Sequence, residues 1–396
     1  MSSLAKILIA EGHIVKGVDV EEDFYTNKGI YGMESFNAYN LKSYYYIIGN
    51  AYINHKIVTE IKKRRYYYKN YPSFLVEHFN KKKWICVSGS HGKTTTTKLI
   101  SHILDDCIAL IGDGDFNYGN GQYFVLESCE YRDTFLNYSP NIGLVLNVDY
   151  DHPDYFKTEK DYRNSFISFI NNCNTAIVNG DDFIFKENGV ISYGINMKND
   201  VIFEYQSKDT GIVRILNKPF YLPTTGLYFA YDFVGAYLVC KLLNMKDIEI
   251  QNKLSSFKFP KRRMEIDYLN NQVIVCDYAH HPTEIRAVFL ALKEKFINKE
   301  IIVVFEPHTI SRLETYFKDF NEALSLFDEC YLFPIFSSVR EGKNGSKEND
   351  LYRKLNYVLY DDEVVALLKN KTDSVICFLG AGVIDKECEK YKLNQL

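Results

Sequence analysis

The sequence predicts an α/β protein whose parallel sheets carry helices on both faces. Short apolar runs typical of buried strands alternate with helical patterns almost throughout the 396 residues, and such alternation favours parallel sheets. The unusual polar clusters directly follow the strand-like runs, as expected for open α/β sheets, whose ligands lie at the carboxyl ends of strands. A chain of this length is expected to form two or three domains.

Three sections of the chain are predicted from this alternation. The first ends near residue 80 and is expected to contain a helix and two strands: Ser3–Ala10, His13–Val18 and Tyr44–Ile48. The second begins with the strand at Trp84, ends near Phe259, and is expected to add three strands and an amphipathic helix: Tyr123–Leu126, Ile142–Val148, Ala176–Val178 and Ala230–Leu243. The third begins near "FPKRRMEI" and is expected to contain four strands: Val273–Cys276, Ile301–Phe305, Cys330–Phe333 and Val375–Leu379. One linker-like stretch, rich in glycine and charge, is Arg340–Asp350.

Composition excludes several classes of protein. A net charge of −4 and a pI near 6.2 argue against a general binder of nucleic acid or of a membrane surface. The basic cluster Lys62–Lys69 alternates with tyrosines, which fits either an RNA contact or a solvated helix end. Lys6 and Glu11 interrupt the apolar N-terminal stretch, which therefore predicts an amphipathic helix rather than a signal peptide. The sequence contains no run of about 18 mostly apolar residues, so we expect no membrane span.

The nine cysteines indicate a reducing compartment. They are scattered from Cys86 to Cys388 without a C-x-x-C pair, which is typical of free thiols in a cytosolic protein. We therefore expect a cytoplasmic location.

A glycine-rich turn between a strand and a helix predicts a nucleotide site. "WICVSGSHGKTTTTKLI" runs from an apolar strand through Gly89, Ser90, His91 and Gly92 into Lys93, Thr94 and Thr95. Backbone N–H groups and a helix N-terminus at such a turn collect around phosphate. Lys93 would face the outer phosphates, and the Thr94 hydroxyl would bind Mg²⁺. The loop is a shortened form, because Val87 stands where the full pattern has its first glycine.

Two clusters in the same section supply candidate metal ligands. Glu127 ends the strand in "VLESCE"; it is either a magnesium ligand shared with Thr94 or a surface glutamate. His152, beside Asp151 in "NVDYDHPDYF", is either a structural hydrogen bonder or a ligand of a second metal ion.

The third section carries candidate anion-binding residues. "DYAHHPTEI" contains Asp277, His280 and His281 before a proline at a predicted helix start; adjacent histidines on a turn point apart, which argues against zinc. "EPHTISR" places His308 and Arg312 after another strand, where arginine suits a carboxylate or phosphate. Paired arginines at a presumed domain junction, Arg262 and Arg263, are either charge stabilisers for a transferring phosphoryl group or ordinary surface residues. The residues themselves leave a kinase and a ligase open, with a site expected in a cleft between domains.

An ordered set of motifs resembles the Mur ligase family over nearly the whole chain. It comprises "GSHGKTTTT", "ESCEYRDTF", "LNVDYDHPDYF", "KRRMEI", "DYAHHPTEI", "EPHTISR", "VRE" and "GAG". The resemblance implies a Rossmann-like N-terminal domain over residues 1–80 that binds the UDP substrate, a central P-loop ATPase-like parallel sheet over 81–259, and a Rossmann-like C-terminal domain over 260–396.

Within the family, the motifs are most similar to the branch that joins L-alanine to UDP-N-acetylmuramate with ATP and Mg²⁺. "HHPTE" is typical of that branch, and "YRNSFISF" lacks the lysine that branches adding later amino acids carry. The resemblance implies peptidoglycan precursor synthesis through an acyl phosphate. The runner-up is the relative that reattaches a recycled tripeptide, and a third hypothesis is a ligase-like protein that binds nucleotide or precursor without turnover. Neither nucleic acid nor membrane is an expected partner, and the chain is expected to be a monomer or a dimer.

The resemblance also implies residue roles. The loop from Gly89 to Thr95 would hold the triphosphate, with Lys93 catalytic; Thr94, Glu127 and His152 would bind metal. Asp277 would contact the ribose and Arg263 the phosphates. The substrate carboxylate and the amino acid would be bound by His280, His281, His308 and Arg312. The residues expected to be catalytic are Lys93, Glu127, His152, Arg263, His281 and Arg312.

Two features depart from the family pattern. Family members begin with a strand and a glycine-rich loop that bind the UDP pyrophosphate, whereas this sequence starts at Met1-Ser2-Ser3; we expect the first domain to lack both. The family also has a Gly-x-His-Asn segment whose asparagine reads adenine, whereas Gly226 is followed here by Leu227, Tyr228 and Phe229. The two aromatic side chains are expected to stack on the base instead.

Overall fold

The computed structural model describes residues 1–19, 29–30, 33–35, 41–182, 189–207, 210–336, 355 and 357–394. The predicted linker Arg340–Asp350 and the "VRE" motif lie outside them. The chain divides into two compact units, one formed by residues 1–149, 160–201 and 233–253 and the other by 150–159, 202–232 and 254–396. The predicted domain boundaries at 80 and 259 stay a prediction.

The elements up to residue 194 follow in chain order. They are α1 Ser2–Ala10, β1 Val18–Asp19, β2 Glu34–Ser35, β3 Tyr46–Ile48, α2 Lys56–Lys63, β4 Tyr68–Asn70, α3 Tyr71–His78, β5 Lys83–Ser88, α4 Lys93–Leu104, β6 Ile108–Leu110, β7 Phe116–Tyr118, β8 Tyr123–Glu127, β9 Ile142–Val145, α5 Glu159–Asn171, β10 Thr175–Asn179 and β11 Val190–Gly194, with 3₁₀ turns at Asn50–Tyr52 and Tyr131–Asn137.

The remaining elements complete the chain. They are β12 Val201–Ser207, β13 Gly211–Ile215, β14 Lys218–Tyr221, α6 Leu227–Leu242, α7 Asp247–Ser255, β15 Glu265–Leu269, β16 Gln272–Asp277, α8 Pro282–Lys295, β17 Glu300–Glu306, α9 Ile310–Thr315, α10 Phe317–Leu324, β18 Glu329–Leu332, β19 Val358–Leu359, α11 Asp362–Lys369, β20 Ser374–Gly380 and α12 Ile384–Leu393.

One predicted strand is mostly wrong. Of the segment His13–Val18, only Val18 lies in a strand, which is β1 and pairs with Glu34–Ser35. The apolar residues before it do not mark a buried strand, because Ile14 is 98% exposed. Each of the other strands and helices predicted from the sequence overlaps an observed element.

The first unit contains a seven-stranded run in the order β11-β10-β9-β5-β8-β6-β7. Its strands are parallel except for β7 at one end. In the centre of this run, Val87 of β5 lies opposite Glu127 of β8, and Ser88 lies opposite Val145 of β9. The carboxyl ends of β5, β8 and β9 are therefore neighbours, and the loops that follow them converge.

Two short parallel pairs, β1 with β2 and β3 with β4, also belong to the first unit. A cavity of about 640 Å³ is lined by α1 and by residues before and within β1 and β3. Its lining is mainly apolar and includes Leu4, Leu8, Ile30, Ile48 and Val58.

The second unit contains a six-stranded sheet in the order β15-β16-β20-β17-β18-β19. Both of its faces are covered. Val273, Val303 and Val375 belong to one apolar cluster, and the intervening residues Ile274 and Ile302 belong to the other. Because each strand is buried on two faces, its sequence is a continuous apolar run rather than an alternating one. Asp277 is paired with Leu379 and Glu306 with Gly380, so the polar residues after β16, β17 and β20 meet at one edge.

The second unit also contains an antiparallel ladder in which β13 pairs with β12 and β14. The ladder and the turn that follows it form hydrogen bonds with α8. The Tyr205 hydroxyl donates to Glu294 Oε2 at 2.6 Å, and Thr225 Oγ1 donates to the Ala291 carbonyl at 3.0 Å. Gly226 has a φ of +112°, and a Cβ there would lie 3.0 Å from Ala291 Cβ. The turn before α6 therefore packs closely on this helix.

Candidate active site

The glycine-rich turn lies between β5 and α4, as the sequence predicts. Gly89 has a φ of +143°, and a Cβ there would lie 3.1 Å from the backbone nitrogen of Asn147. Gly92 has a φ of +80° and ends the loop, so that α4 begins at Lys93. The first N–H groups of a helix have no partner within the helix and carry the positive end of its dipole. The loop is therefore suited to hold an anion.

The loop is held in place by the segment that follows β9. Asn147 makes two hydrogen bonds to His91: its Oδ1 accepts from the backbone nitrogen at 2.8 Å and its Nδ2 donates to the carbonyl at 3.1 Å. Ser90 Oγ donates to the Asp149 carbonyl at 2.6 Å, and His91 Nε2 lies 2.9 Å from Asp149 Oδ2. Ser90 and His91, which were predicted to bind nucleotide, thus have their side chains engaged in holding the loop's shape.

Lys93 lies inside the loop beside a buried carboxylate. Its Nζ donates to the carbonyls of Gly89 and Ser90 and lies 3.0 Å from Glu130 Oε2. Glu130 is 1% exposed. Burial by itself lowers the pKa of Lys93. The charge of Glu130 raises the pKa, with smaller contributions from Cys129 and Glu127, and these effects together outweigh burial, so the pKa lies above its ordinary value. The lysine is therefore firmly charged where a triphosphate would need a cation.

Glu130 was missed by the sequence interpretation, which chose Glu127 from the same "VLESCE" segment. Glu127 Oε2 accepts a hydrogen bond from the Gly112 nitrogen at 2.8 Å, and its charge contributes less to the pKa of Lys93 than that of Glu130. The signal for Glu130 was a second carboxylate three residues after the strand end. Thr94 and Thr95 are buried in the first turn of α4.

The second unit gathers the other predicted residues at the carboxyl ends of its strands. Asp277 is buried and accepts hydrogen bonds from the nitrogens of Met264, at 2.7 Å, and Ala279, at 2.8 Å. Burial raises its pKa, against the nearby Arg263 and the two N–H donors, which lower it. The carboxylate thereby joins the backbone before β15 to the backbone after β16.

Two consecutive arginines lie against one tyrosine. The guanidinium carbons of Arg262 and Arg263 are each 4.8 Å from the centroid of the Tyr278 ring, a cation–π distance. Arg262 is 4% exposed and donates to the Gly380 carbonyl at 2.8 Å, so it holds the fold together. The side chain of Arg263 is 23% exposed, and its Nη1 is 4.0 Å from Glu284 Oε1. Of the pair, Arg263 is therefore the more exposed.

Glu284 organises the start of α8. Its Oε2 accepts from the backbone nitrogens of His280, at 2.9 Å, and His281, at 3.2 Å. Pro282 occupies the first helical position, where its fixed φ suits the helix. The His281 ring is buried and meets the Tyr316 ring edge-on at 4.9 Å, whereas the His280 side chain is 16% exposed. Glu284 is a further residue that sequence reasoning missed, although the motif "HHPTE" contains it.

Arg312 is paired with Asp151. Its Nη2 lies 2.9 Å from Oδ1 and 3.0 Å from Oδ2, and its Nε lies 3.3 Å from Oδ1. Burial by itself raises the pKa of Asp151. The charges of Arg312, His152 and His281 lower the pKa by more than burial raises it, so the pKa is held well below its usual range. Arg312 Nη1 also lies 3.2 Å from His308 Nδ1. The arginine therefore connects Asp151 to His308.

His152 lies beside the same carboxylate. Its backbone nitrogen donates to Asp151 Oδ1 at 2.7 Å, and its Nε2 is 3.8 Å from Asp151 Oδ2. His152, Arg262 and Thr309 have φ values of +57°, +58° and +69°. Such values are strained for residues other than glycine, most of all for a β-branched threonine, and strain of this kind concentrates at functional sites.

The segment expected to meet the base is only partly available. Phe229 is buried, and its ring packs against Phe259 at 4.9 Å and Phe257 at 6.3 Å. It is a core residue, so the expectation that it stacks on a base is corrected. Tyr228 is 46% exposed and remains able to stack.

Two parts of the chain match family models. Residues 113–240 match the Mur ligase middle domain, and residues 262–382 match the domain described as Mur ligase, glutamate ligase domain. The chain belongs to the Mur ligase family. Mur ligases are ATP-dependent amide ligases.

Solved structures of Mur ligases share the fold. UDP-N-acetylmuramate–alanine ligase from Thermotoga maritima is 22% identical, with a TM-score of 0.83 over 100% of this chain and 96% of that one. A murein peptide ligase from Psychrobacter arcticus is 20% identical, with a TM-score of 0.69 over 100% and 97%. MurF from Thermotoga maritima, solved in complex with ADP, is 17% identical, with a TM-score of 0.65 over 82% of each chain. The predicted class, α/β with sheets rich in parallel strands, is confirmed.

Among the residues that the structure describes, no helix combines the length and the apolar composition that crossing a bilayer requires.

Proposed function

We propose that this Mur ligase joins L-alanine to UDP-N-acetylmuramate, using ATP to form an acyl phosphate that the amine then attacks. The observation that carries the proposal is the loop of the first unit, where Lys93 is charged and its side chain is 14% exposed at the start of α4. A largely buried cation and the N-terminus of a helix together form a phosphate site. The likeness to the alanine ligase of Thermotoga maritima supports this choice of substrate.

The residues present fit a magnesium ion. Glu130 places a buried carboxylate beside Lys93, and Thr94 places a hydroxyl in the first turn of the helix; carboxylate and hydroxyl oxygens are the ligands that Mg²⁺ takes beside phosphate and water. Mg²⁺ bound there would neutralise charge on the phosphates. Glu127 and His152 remain proposed ligands. Expected substrates are ATP, UDP-N-acetylmuramate and L-alanine, and a cytoplasmic location is proposed with them.

The second unit supplies the groups suited to the acyl-transfer step. Arg263 is a partly exposed cation, and the rings of His280 and His308, whose centroids are 5.3 Å apart, follow β16 and β17 of the same sheet. Charged donors of this kind stabilise a developing oxyanion. Asp277 and Arg312 hold the surrounding backbone and side chains in place.

The test is phosphate release from ATP with Mg²⁺, UDP-N-acetylmuramate and each of a panel of amino acids. Release that needs both UDP-N-acetylmuramate and L-alanine is expected. Lys93→Met is expected to lower it by about a hundredfold, because it removes a cation from the phosphates. Lys98→Met on the same helix is the matched control, since Lys98 pairs with Asp115 on a more exposed side.

The alternatives give different results. Release that needs a tripeptide instead of L-alanine would favour the recycling ligase, which the likeness to the murein peptide ligase supports to a lesser degree. Nucleotide binding without release under any condition would overturn the enzyme assignment in favour of a binding protein.

A further inference from the structure

The two ring nitrogens of His280 have different chemical roles. Nδ1 lies 3.1 Å from the Tyr278 carbonyl oxygen and 3.2 Å from Glu284 Oε2. A carbonyl and a carboxylate only accept hydrogen bonds, so Nδ1 carries the hydrogen. Nε2 makes no hydrogen bond to any residue in the described ranges. In the neutral ring, Nε2 therefore holds an unused lone pair.

The surroundings of His280 favour the neutral ring. Burial lowers its pKa and Arg312 lowers it further, while Glu284 and Asp151 raise it; the net pKa lies below the ordinary value. The rings that face it belong to Tyr278, at 5.2 Å, and His308, at 5.3 Å. At neutral pH the lone pair on Nε2 is therefore available to accept a proton.

His308 has the opposite arrangement. Arg312 Nη1 lies 3.2 Å from His308 Nδ1, and a guanidinium only donates, so Nδ1 accepts and the hydrogen of the neutral ring is on Nε2. Asp151 fixes Arg312, and the ring of His308 stacks on Phe336 at 5.5 Å. These contacts fix the ring of His308 next to the ring of His280.

An incoming amino acid needs a base. Near neutral pH its amine is an ammonium without a lone pair, which has to lose a proton before it attacks. Resting on the proposed function, we propose that His280 is the catalytic base: its Nε2 takes a proton from the ammonium group of the incoming amino acid.

The step balances in atoms and electrons. One proton moves from the ammonium nitrogen to His280 Nε2. The freed lone pair forms the C–N bond to the acyl carbon of the acyl phosphate. The C–O bond to the phosphate breaks, and inorganic phosphate leaves with the electron pair of that bond. The second proton of the nitrogen passes to the leaving phosphate or to water, and His280 returns its proton to water. Glu284, beside Nδ1, stabilises the transient imidazolium.

The experiment compares two nucleophiles on the same acyl phosphate. L-Alanine requires deprotonation, whereas hydroxylamine is uncharged at neutral pH and traps the acyl phosphate as a hydroxamate. With ATP, Mg²⁺ and UDP-N-acetylmuramate, His280→Gln is expected to slow amide formation with L-alanine by about a hundredfold, the usual contribution of a general base. Hydroxamate formation is expected to stay within about threefold of wild type, since no base is needed.

The control is Lys318→Gln, because the Lys318 side chain is 89% exposed in the second unit; both rates are expected to be unchanged. Equal loss of amide and hydroxamate formation in His280→Gln, or loss of neither, overturns the proposal. If the wild type makes neither product, the proposed function has failed instead, which separates the two conclusions.

A second measurement needs no variant. In the wild type, the rate with L-alanine is expected to fall tenfold per pH unit below the pKa of the base, while the hydroxamate rate relative to free hydroxylamine stays level. Parallel pH profiles for the two nucleophiles would overturn the assignment of a base to this step.

Discussion

Asp151 and Arg312 form a buried ion pair between residues 161 positions apart in the chain, with two hydrogen bonds of 2.9 and 3.0 Å from a single guanidinium nitrogen. Asp151 is 6% exposed and Arg312 is 7% exposed. Next to the pair, the Tyr316 hydroxyl donates to the Tyr150 carbonyl at 2.7 Å. The segment that begins at Tyr150 is thereby fixed to α9 and to the residue that joins α9 to α10.

Breaking this pair is expected to destabilise the protein strongly. Asp151→Asn leaves the buried charge of Arg312 without its partner, and the expected loss in unfolding free energy is about 3–5 kcal/mol. Glu322→Gln is the matched control, since the Arg286–Glu322 pair is 3.0 Å long with side chains 33% and 54% exposed; its loss should stay below about 1 kcal/mol. Denaturant unfolding of the two variants checks this, and equal losses would show that burial does not decide the value of the pair.

Glu130 and Glu127 are expected to differ in their effect on nucleotide binding. Glu130→Gln removes the carboxylate next to Lys93 and should raise the Mg²⁺ concentration needed for half-maximal ATP turnover by about tenfold or more. Glu127→Gln keeps an oxygen for the Gly112 nitrogen, and the expected rise is smaller. A magnesium titration of both variants measures the difference; a larger effect of Glu127→Gln would restore the sequence-based assignment.

Gly89→Ala is expected to distort the phosphate loop. The new Cβ would lie 3.1 Å from the Asn147 nitrogen and from Leu146 Cβ, at a φ of +143°. Gly189→Ala is the control, since its φ is +87° but its nearest neighbour is 3.9 Å away. Both should lose about 1–3 kcal/mol for the strained backbone. Only Gly89→Ala should also weaken ADP binding, as measured by titration calorimetry; unchanged ADP binding would show that the loop tolerates the added methyl group.

Glu306 is expected to make stability fall as the pH rises. Burial raises the pKa of this carboxyl, against the Val383, Ile384 and Gly382 nitrogens and Arg262, which lower it. A native pKa above the unfolded value of about 4.3 means that the native state binds more protons, so the unfolding free energy decreases from about pH 4 upward until the native pKa is passed.

Glu306→Gln removes this titration. The unfolding free energy of wild type minus that of Glu306→Gln should therefore decrease over the same pH window and be constant above it. Denaturant unfolding at a series of pH values measures this difference. A difference that does not change with pH would mean that Glu306 titrates equally in the folded and unfolded states.

Local features of the site were predictable from the sequence. Gly89, Gly92 and Lys93 follow one another in the chain, and a strand, a glycine turn and a helix start are recognised within a dozen residues. The strand ends at Asp277 and Glu306 were also predictable, because strands covered on both faces are continuous apolar runs whose end is marked by the first polar residue. Where an apolar run was neither long nor buried, as at Ile14, the prediction of a strand failed.

The sequence by itself determined the α/β class, the phosphate loop and the set of polar residues at the strand ends, because these depend on neighbours in the chain. The tertiary structure decided which of them meet: Glu130 with Lys93, Glu284 with His280, and Asp151 with Arg312. It also decided that Phe229 is a core residue while Tyr228 remains exposed. The physical reason is that a side chain's charge state and hydrogen-bonding role follow from burial and from partners brought close by strand order, and neither is encoded at the position of the residue itself.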